Sequence, residues 1–175
     1  MSNVKKYITT SLTLGLIAAA GALLIAGTNK ITEEPIKKYE ENKINSGIIE
    51  IFGENTKKGS VTEVDLSEYK HITIRYGVLD NDGNEIGCAF RADGSNSYGK
   101  ISLIIGFDAP FTFKGFSVIT NEQSFATTLN KNYITKVQEG TRELDDVSCG
   151  ATYGAKLVRD LINEAGEVAK IMTKD

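Results

Sequence analysis

The chain has 175 residues, about the length of one domain, and 20 Lys plus Arg against 23 Asp plus Glu leave a net charge of −3. That balance excludes a general nucleic-acid binder, which carries a basic face. A single histidine, His71, and two cysteines exclude a multi-histidine metal centre and a disulfide-dense scaffold.

Residues 7–29 contain no charged side chain. As a helix such a run is about 34 Å long, enough for a hydrocarbon core of about 30 Å. It is longer than the apolar part of most signal peptides, so the reading is an uncleaved single-pass transmembrane helix. Lys5 and Lys6 precede the run and Lys30, Lys37 and Lys38 follow it, so charge hardly sets its orientation. Gly15, Ala19, Ala22 and Ala26 form a small-residue stripe. Close helix packing and the ordinary composition of membrane helices account for the stripe equally well.

Three parts are expected: an anchor at 1–29, a helical stalk and linker at 30–60, and a domain at 61–175. Removing the first 29 residues takes away only Lys5 and Lys6, so the remainder carries a net charge of −5. Residues 34–45 read as a Lys/Glu-rich helix, with Pro35 in its first turn and Ile36, Tyr39 and Ile44 on its packed side. Residues 48–52 read as a short apolar turn, and 53–59 as a loop. Alternation then predicts strands at 71–79, 85–91, 100–108 and 113–120, joined by turns at 81–84, 93–98 and around Pro110. Residues 121–144 form a polar stretch with no assigned element. Leu157, Val158, Leu161, Ile162, Ala165, Val168, Ala169 and Met172 recur at helical spacing and predict a closing helix over 155–172. The predicted class is α+β: an N-terminal single transmembrane helix, an antiparallel sheet and a C-terminal helix.

The segment before that helix, Asp145 to Gly154 (DDVSCGATYG), is the chemically informative one. A helix N-terminus favours anions, and Gly150 and Gly154 let a bulky group approach the backbone. A hydroxyl here could hold a phosphate or bear one covalently, or Ser148 or Thr152 could simply cap the helix. Two further readings stay open: a Cys149 nucleophile with His71 as base, and a Cys88–Cys149 disulfide.

Asp146-Val147-Ser148-Cys149-Gly150-Ala151-Thr152 resembles the flavinylation motif of FMN-binding domains, in which Asp, two variable positions and a hydroxyl residue precede Gly-Ala-Thr. Cys149 occupies the place of that hydroxyl residue. The chain as a whole resembles the G-subunit family of Rnf ion-translocating ferredoxin:NAD oxidoreductases and is similar to the C subunits of sodium-translocating NADH:quinone reductases. The junction Asn29-Lys30-Ile31-Thr32, the strands over 84–107 and 113–122, and the helix over 155–165 carry that likeness. The family usually continues Thr-Pro-Gly after the position of Glu122, where this chain has Gln123-Ser124-Phe125.

The resemblance implies covalent FMN in a phosphodiester bond to Thr152. It implies cofactor contacts from Asp146, Ser148, Cys149, Gly150, Ala151 and Glu122. Tyr98 is either a platform for the flavin ring or an exposed turn residue. No catalytic or metal-ligating residue is assigned. The implied protein is anchored in the cell membrane by one helix, with its FMN domain outside the cytoplasm. It would relay electrons beside other membrane subunits of an Rnf-type complex, after maturation by a flavin transferase. The alternatives are a stand-alone anchored flavoprotein serving external acceptors and a non-flavinylated structural subunit.

Overall fold

The computed structural model describes residues 2–172, and the side chains of all of these except 2–6, 9 and 24–33. Ser2–Phe52 form one helix, α1. Pro35 lies inside it and not in a first turn, so the helix continues past a residue that lacks an N–H.

The expected transmembrane helix requires correction. Within the run 7–29, described side chains occur only at 7–8 and 10–23. Among the described residues no helix is long and apolar enough to cross a membrane. The fold class is therefore an antiparallel sheet with helices, without the predicted membrane span. Lys5, Lys6, Ala26, Lys30 and Ile31, used in the sequence reading, lie outside the described side chains.

The chain divides into two compact units, Met1–Asn42 and Lys43–Asp175. In the first, Ile36 and Tyr39 are exposed, so neither marks a packed side. In the second, the last turns of α1 carry Ile44, Ile48, Ile51 and Phe52 at helical spacing. They pack with Tyr76, Val78, Ala89, Ile104 and Ile119. Residues 48–52 are thus helix and not a turn, because the sheet buries the stripe they complete. Gly53, at φ 106°, ends the helix, and its N–H bonds the carbonyl of Ile49 at 2.8 Å.

Five strands follow: β1 (Lys57–Glu63), β2 (Ile72–Leu79), β3 (Glu85–Asn96), β4 (Gly99–Asp108) and β5 (Thr112–Asn121). They form one sheet in chain order, and every neighbouring pair is antiparallel. Period-two alternation divides its faces. Ile101, Leu103, Ile105 and Phe107 of β4 enter one core, while Ile104 enters the core that holds Ile44 and Ile48.

The core on the Phe107 side is closed by α2 (Ala126–Leu129), a π-helical segment at Asn130–Ile134, α3 (Thr135–Gln138) and the long helix α4 (Thr152–Ile171). Ala155, Val158, Leu161, Ile162, Ala165, Val168 and Ala169 are the buried stripe of α4. The polar stretch 121–144 therefore holds helical structure. The buried residues of its helical part are Leu129, Tyr133 and Ile134, spaced by four and then one, and the π turn with its i to i+5 bonds accommodates that spacing.

Candidate functional site

The turn between β3 and β4 is tied down from three directions. The side-chain oxygen of Asn96 accepts the Tyr98 N–H at 2.8 Å, and its amide nitrogen donates to the Tyr153 carbonyl at 3.2 Å. The Ser124 N–H and hydroxyl donate to the Tyr98 carbonyl at 2.7 and 3.0 Å. Gln123, buried, donates its side-chain amide to the Gly99 carbonyl. Position 99 has φ 132°, and a Cβ there would stand 2.1 Å from the Glu122 carbonyl oxygen, so only glycine fits.

This scaffold fixes an aromatic cluster. The rings of Tyr98 and Tyr153 stack with centroids 5.4 Å apart and planes 24° apart, and Phe125 leans on Tyr98 at 6.0 Å. All three are exposed. They open onto a pocket of about 230 Å³ completed by Gln123, Leu129 and the segment 150–154.

α4 starts on that pocket. Its first residue is Thr152, and its N-cap is Ala151, which offers no side-chain hydrogen bond. Neither Ser148 nor Thr152 caps the helix. Among the described residues the Thr152 hydroxyl has no hydrogen-bond partner, and the side chain is half-buried. The first amides of a helix have no intrahelical acceptor and carry the positive end of the dipole. Here they stand beside a hydroxyl, with an aromatic wall adjacent. Gly150, at φ 84°, turns the chain into the helix. A Cβ on Gly154 would come 2.8 Å from Leu129 Cδ2, so glycine there lets α4 pack against α2.

The loop leading into α4 is held by Arg142. Its Nε donates to the Asp146 carbonyl at 2.8 Å, Nη1 to the Asn132 carbonyl at 2.6 Å and Nη2 to the Ser148 carbonyl at 2.6 Å. Nη2 also lies 3.0 Å from the Asp146 carboxylate. That guanidinium holds the Asp146 carboxyl below the usual carboxylate range. Asn132 Nδ2 donates to the Cys149 carbonyl at 3.1 Å. Tyr133 donates its hydroxyl to the Leu144 carbonyl, and burial pushes that phenol up to about 12.

Residues 1–48 match the family model for the RnfG N-terminal region. The N-terminal region of this chain is of RnfG type. The match points to a subunit of an Rnf redox complex. The match covers most of α1 and none of the sheet. A comparison with curated proteins finds no match.

The pocket brings together Thr152, Ala151, Gly150 and Tyr98, all outside the matched region. Asp146, Ser148, Cys149 and Glu122 are not among its lining residues. Asp146 and the Ser148 and Cys149 carbonyls belong to the Arg142–Asn132 network, while Glu122 meets Gly99 and Lys100 through its backbone. Cys88 and Cys149 are both buried and free, so no disulfide joins them. Burial pushes the Cys88 thiol up to about 11. His71 pairs its Nδ1 with Glu164 of α4 at 2.7 Å, which leaves the Cys149–His71 pairing without support.

Sequence reasoning missed Arg142, Asn132, Gln123 and Phe125. Arg142 stands four residues before Asp146, an ion-pair spacing that could have drawn notice. Gln123 and Phe125 showed only as a departure from the family pattern, and Asn132 carries no local signal, because these residues act through the pocket wall or through carbonyls distant in sequence.

Proposed function

We propose that this RnfG-type subunit carries FMN as a phosphodiester on Thr152 and relays electrons within an Rnf-type ion-translocating oxidoreductase. The observation that carries the reading is the unpartnered Thr152 hydroxyl at the uncapped start of α4, on the wall of the Tyr98–Phe125–Tyr153 pocket. The residues present fit such a group. A phosphodiester needs a hydroxyl and hydrogen-bond donors, and the first amides of α4 are donors without side-chain competition. A planar apolar ring needs flat apolar surface, and three exposed aromatic residues provide it.

The bound flavin would supply the redox chemistry, accepting and passing on electrons. The chain's own task is positional. α4 sets the attachment point, the helix dipole offsets the phosphodiester charge, and the aromatic rings limit the freedom of the ring system. Gln123 acts indirectly, by fixing Gly99 and so the turn that bears Tyr98.

By the same resemblance, the sheet domain works outside the cytoplasm, beside other subunits of the complex. Both native cysteines are buried, so a cysteine placed at exposed Asp82 would report its side alone. An impermeant thiol reagent should label Asp82→Cys in intact cells; labelling only after lysis reverses the assignment.

The direct test of the FMN reading is intact mass after co-expression with a competent flavin transferase. The wild type should gain one FMN and Thr152→Ala none. A wild type without added mass overturns the proposal in favour of a structural subunit.

A further inference from the structure

We propose that Arg142 is the positioning residue for loading Thr152, fixing residues 146–151 in the shape that a flavin transferase accepts. The inference rests on the FMN reading and extends it to a residue outside the motif. Between α3 and α4 the chain has no regular structure, so its carbonyls need donors from elsewhere. Three of these needs are met by two side chains: Arg142 serves the carbonyls of Asp146 and Ser148, and Asn132 serves that of Cys149. Arg142 also donates to the Asn132 carbonyl, which locks the loop to the π-helical segment.

The Arg142 side chain is only 14% exposed while Asp146 is 55% exposed, so the bonds to the three carbonyls, and not the ion pair, are the built contact. The carboxylate of Asp146 is engaged with the same group. Its role in the motif is then to orient the loop, which ends at Gly150 and delivers Thr152 to the pocket. A lysine would keep the charge and lose the fork that reaches three carbonyls at once.

The loading step is a phosphoryl-type transfer without net redox change. Thr152 Oγ1 forms a bond to the flavin phosphate while a phosphoanhydride bond in a flavin dinucleotide donor breaks. The hydroxyl proton passes to the transferase, and a nucleoside monophosphate leaves. Such in-line attack depends on orientation, and misplacement by about 1 Å costs on the order of 100-fold. A loosened loop should therefore slow loading far more than it alters the fold.

The experiment follows loading of the full chain against time by intact mass, in the presence of transferase and flavin dinucleotide, with the melting temperature measured alongside. Arg142→Lys and Arg142→Met should load at least tenfold more slowly than the wild type. Val158→Ala, a cavity in the α4 core, should lower the melting temperature and load at the wild-type rate. Asn132→Ala and Asp146→Asn each remove one contact of the network and should load more slowly, which keeps the test decisive if an Arg142 variant does not fold. Wild-type loading in the network variants overturns the inference alone. Loading that tracks melting temperature across all variants, Val158→Ala included, overturns it too. A wild type that never acquires flavin overturns the FMN reading, and this inference with it.

Discussion

Tyr98 and Tyr153 stack across the pocket that contains Thr152, one from the β3–β4 turn and the other from the first turn of α4, with ring centroids 5.4 Å apart. A flavin attached at Thr152 has this pair as its nearest flat surface. Stacking on tyrosine quenches flavin emission. Tyr98→Ala should raise the native-state fluorescence of the loaded protein severalfold and leave the loaded fraction unchanged. Emission equal to the wild type would place the ring elsewhere.

The turn that presents Tyr98 depends on Gly99. A Cβ at this position meets the Glu122 carbonyl oxygen at 2.1 Å, and φ is 132°. Gly99→Ala should therefore cost on the order of 3 kcal/mol, through displaced backbone and strain together. Thermal unfolding would register this as a drop of several degrees. A wild-type melting temperature would contradict the close approach of the turn to residues 122–123.

The cysteines make a chemical prediction. Cys88 and Cys149 are buried and unbonded, and burial holds the Cys88 thiol in its neutral form up to about pH 11. Unfolded protein should titrate two thiols without prior reduction, and native protein should react far more slowly at pH 8. Because the Cys88 value is raised from 9.0 on folding, the unfolded chain ionises first, and this thiol lowers stability as pH rises from about 9 towards 11. Cys88→Ala should remove that part of the alkaline loss in a chemical-denaturation series.

Asp146 works in the opposite sense. Its carboxyl lies below the ordinary value of 3.8 because Arg142 bonds the charged form. The stabilisation is present above that value and disappears as pH falls through the lower, folded-state value. Acidification below about pH 4 should weaken the Arg142–Asp146 pair and leave the Arg142 bonds to the carbonyls in place. In Asp146→Asn this component should be missing from the acid unfolding curve. An identical acid limb in both proteins would mean that the pair contributes nothing in solution.

What could be read from the amino acids alone divides along physical lines. Strands β2 to β5 show as alternation because one or both faces are buried, and α4 shows because eight apolar positions fall on one stripe. β1 gave no such signal. Lys57-Lys58-Gly59-Ser60 is an edge segment paired on one side and mostly exposed, so hydrophobic burial leaves little mark on it. The helical stretch at 126–138 was hidden for a different reason: Leu129, Tyr133 and Ile134 fit a π turn and not a 3.6-residue repeat. The extension of α1 to Phe52 was hidden because Ile48 to Phe52 is nearly all apolar, and only the sheet beneath it distinguishes helix from turn.

The candidate site divides the same way. Thr152 and the glycines before and after it were visible because they sit together in the chain and abut a predicted helix. Arg142, Asn132, Gln123 and Phe125 were not, since their partners are carbonyls and rings brought near by folding. The predicted bilayer span rested on the lack of charge over residues 7–29, and among the described residues no helix is long and apolar enough to cross a membrane.

Trypsin offers the most direct measurement. It cleaves after Arg142 and Lys156, releasing one peptide, residues 143–156, that contains both Ser148 and Thr152. From protein matured with a flavin transferase, fragment-ion sequencing of this peptide should place a single FMN phosphodiester on Thr152. A flavin on Ser148, or a peptide recovered only in its unmodified form, would contradict the account.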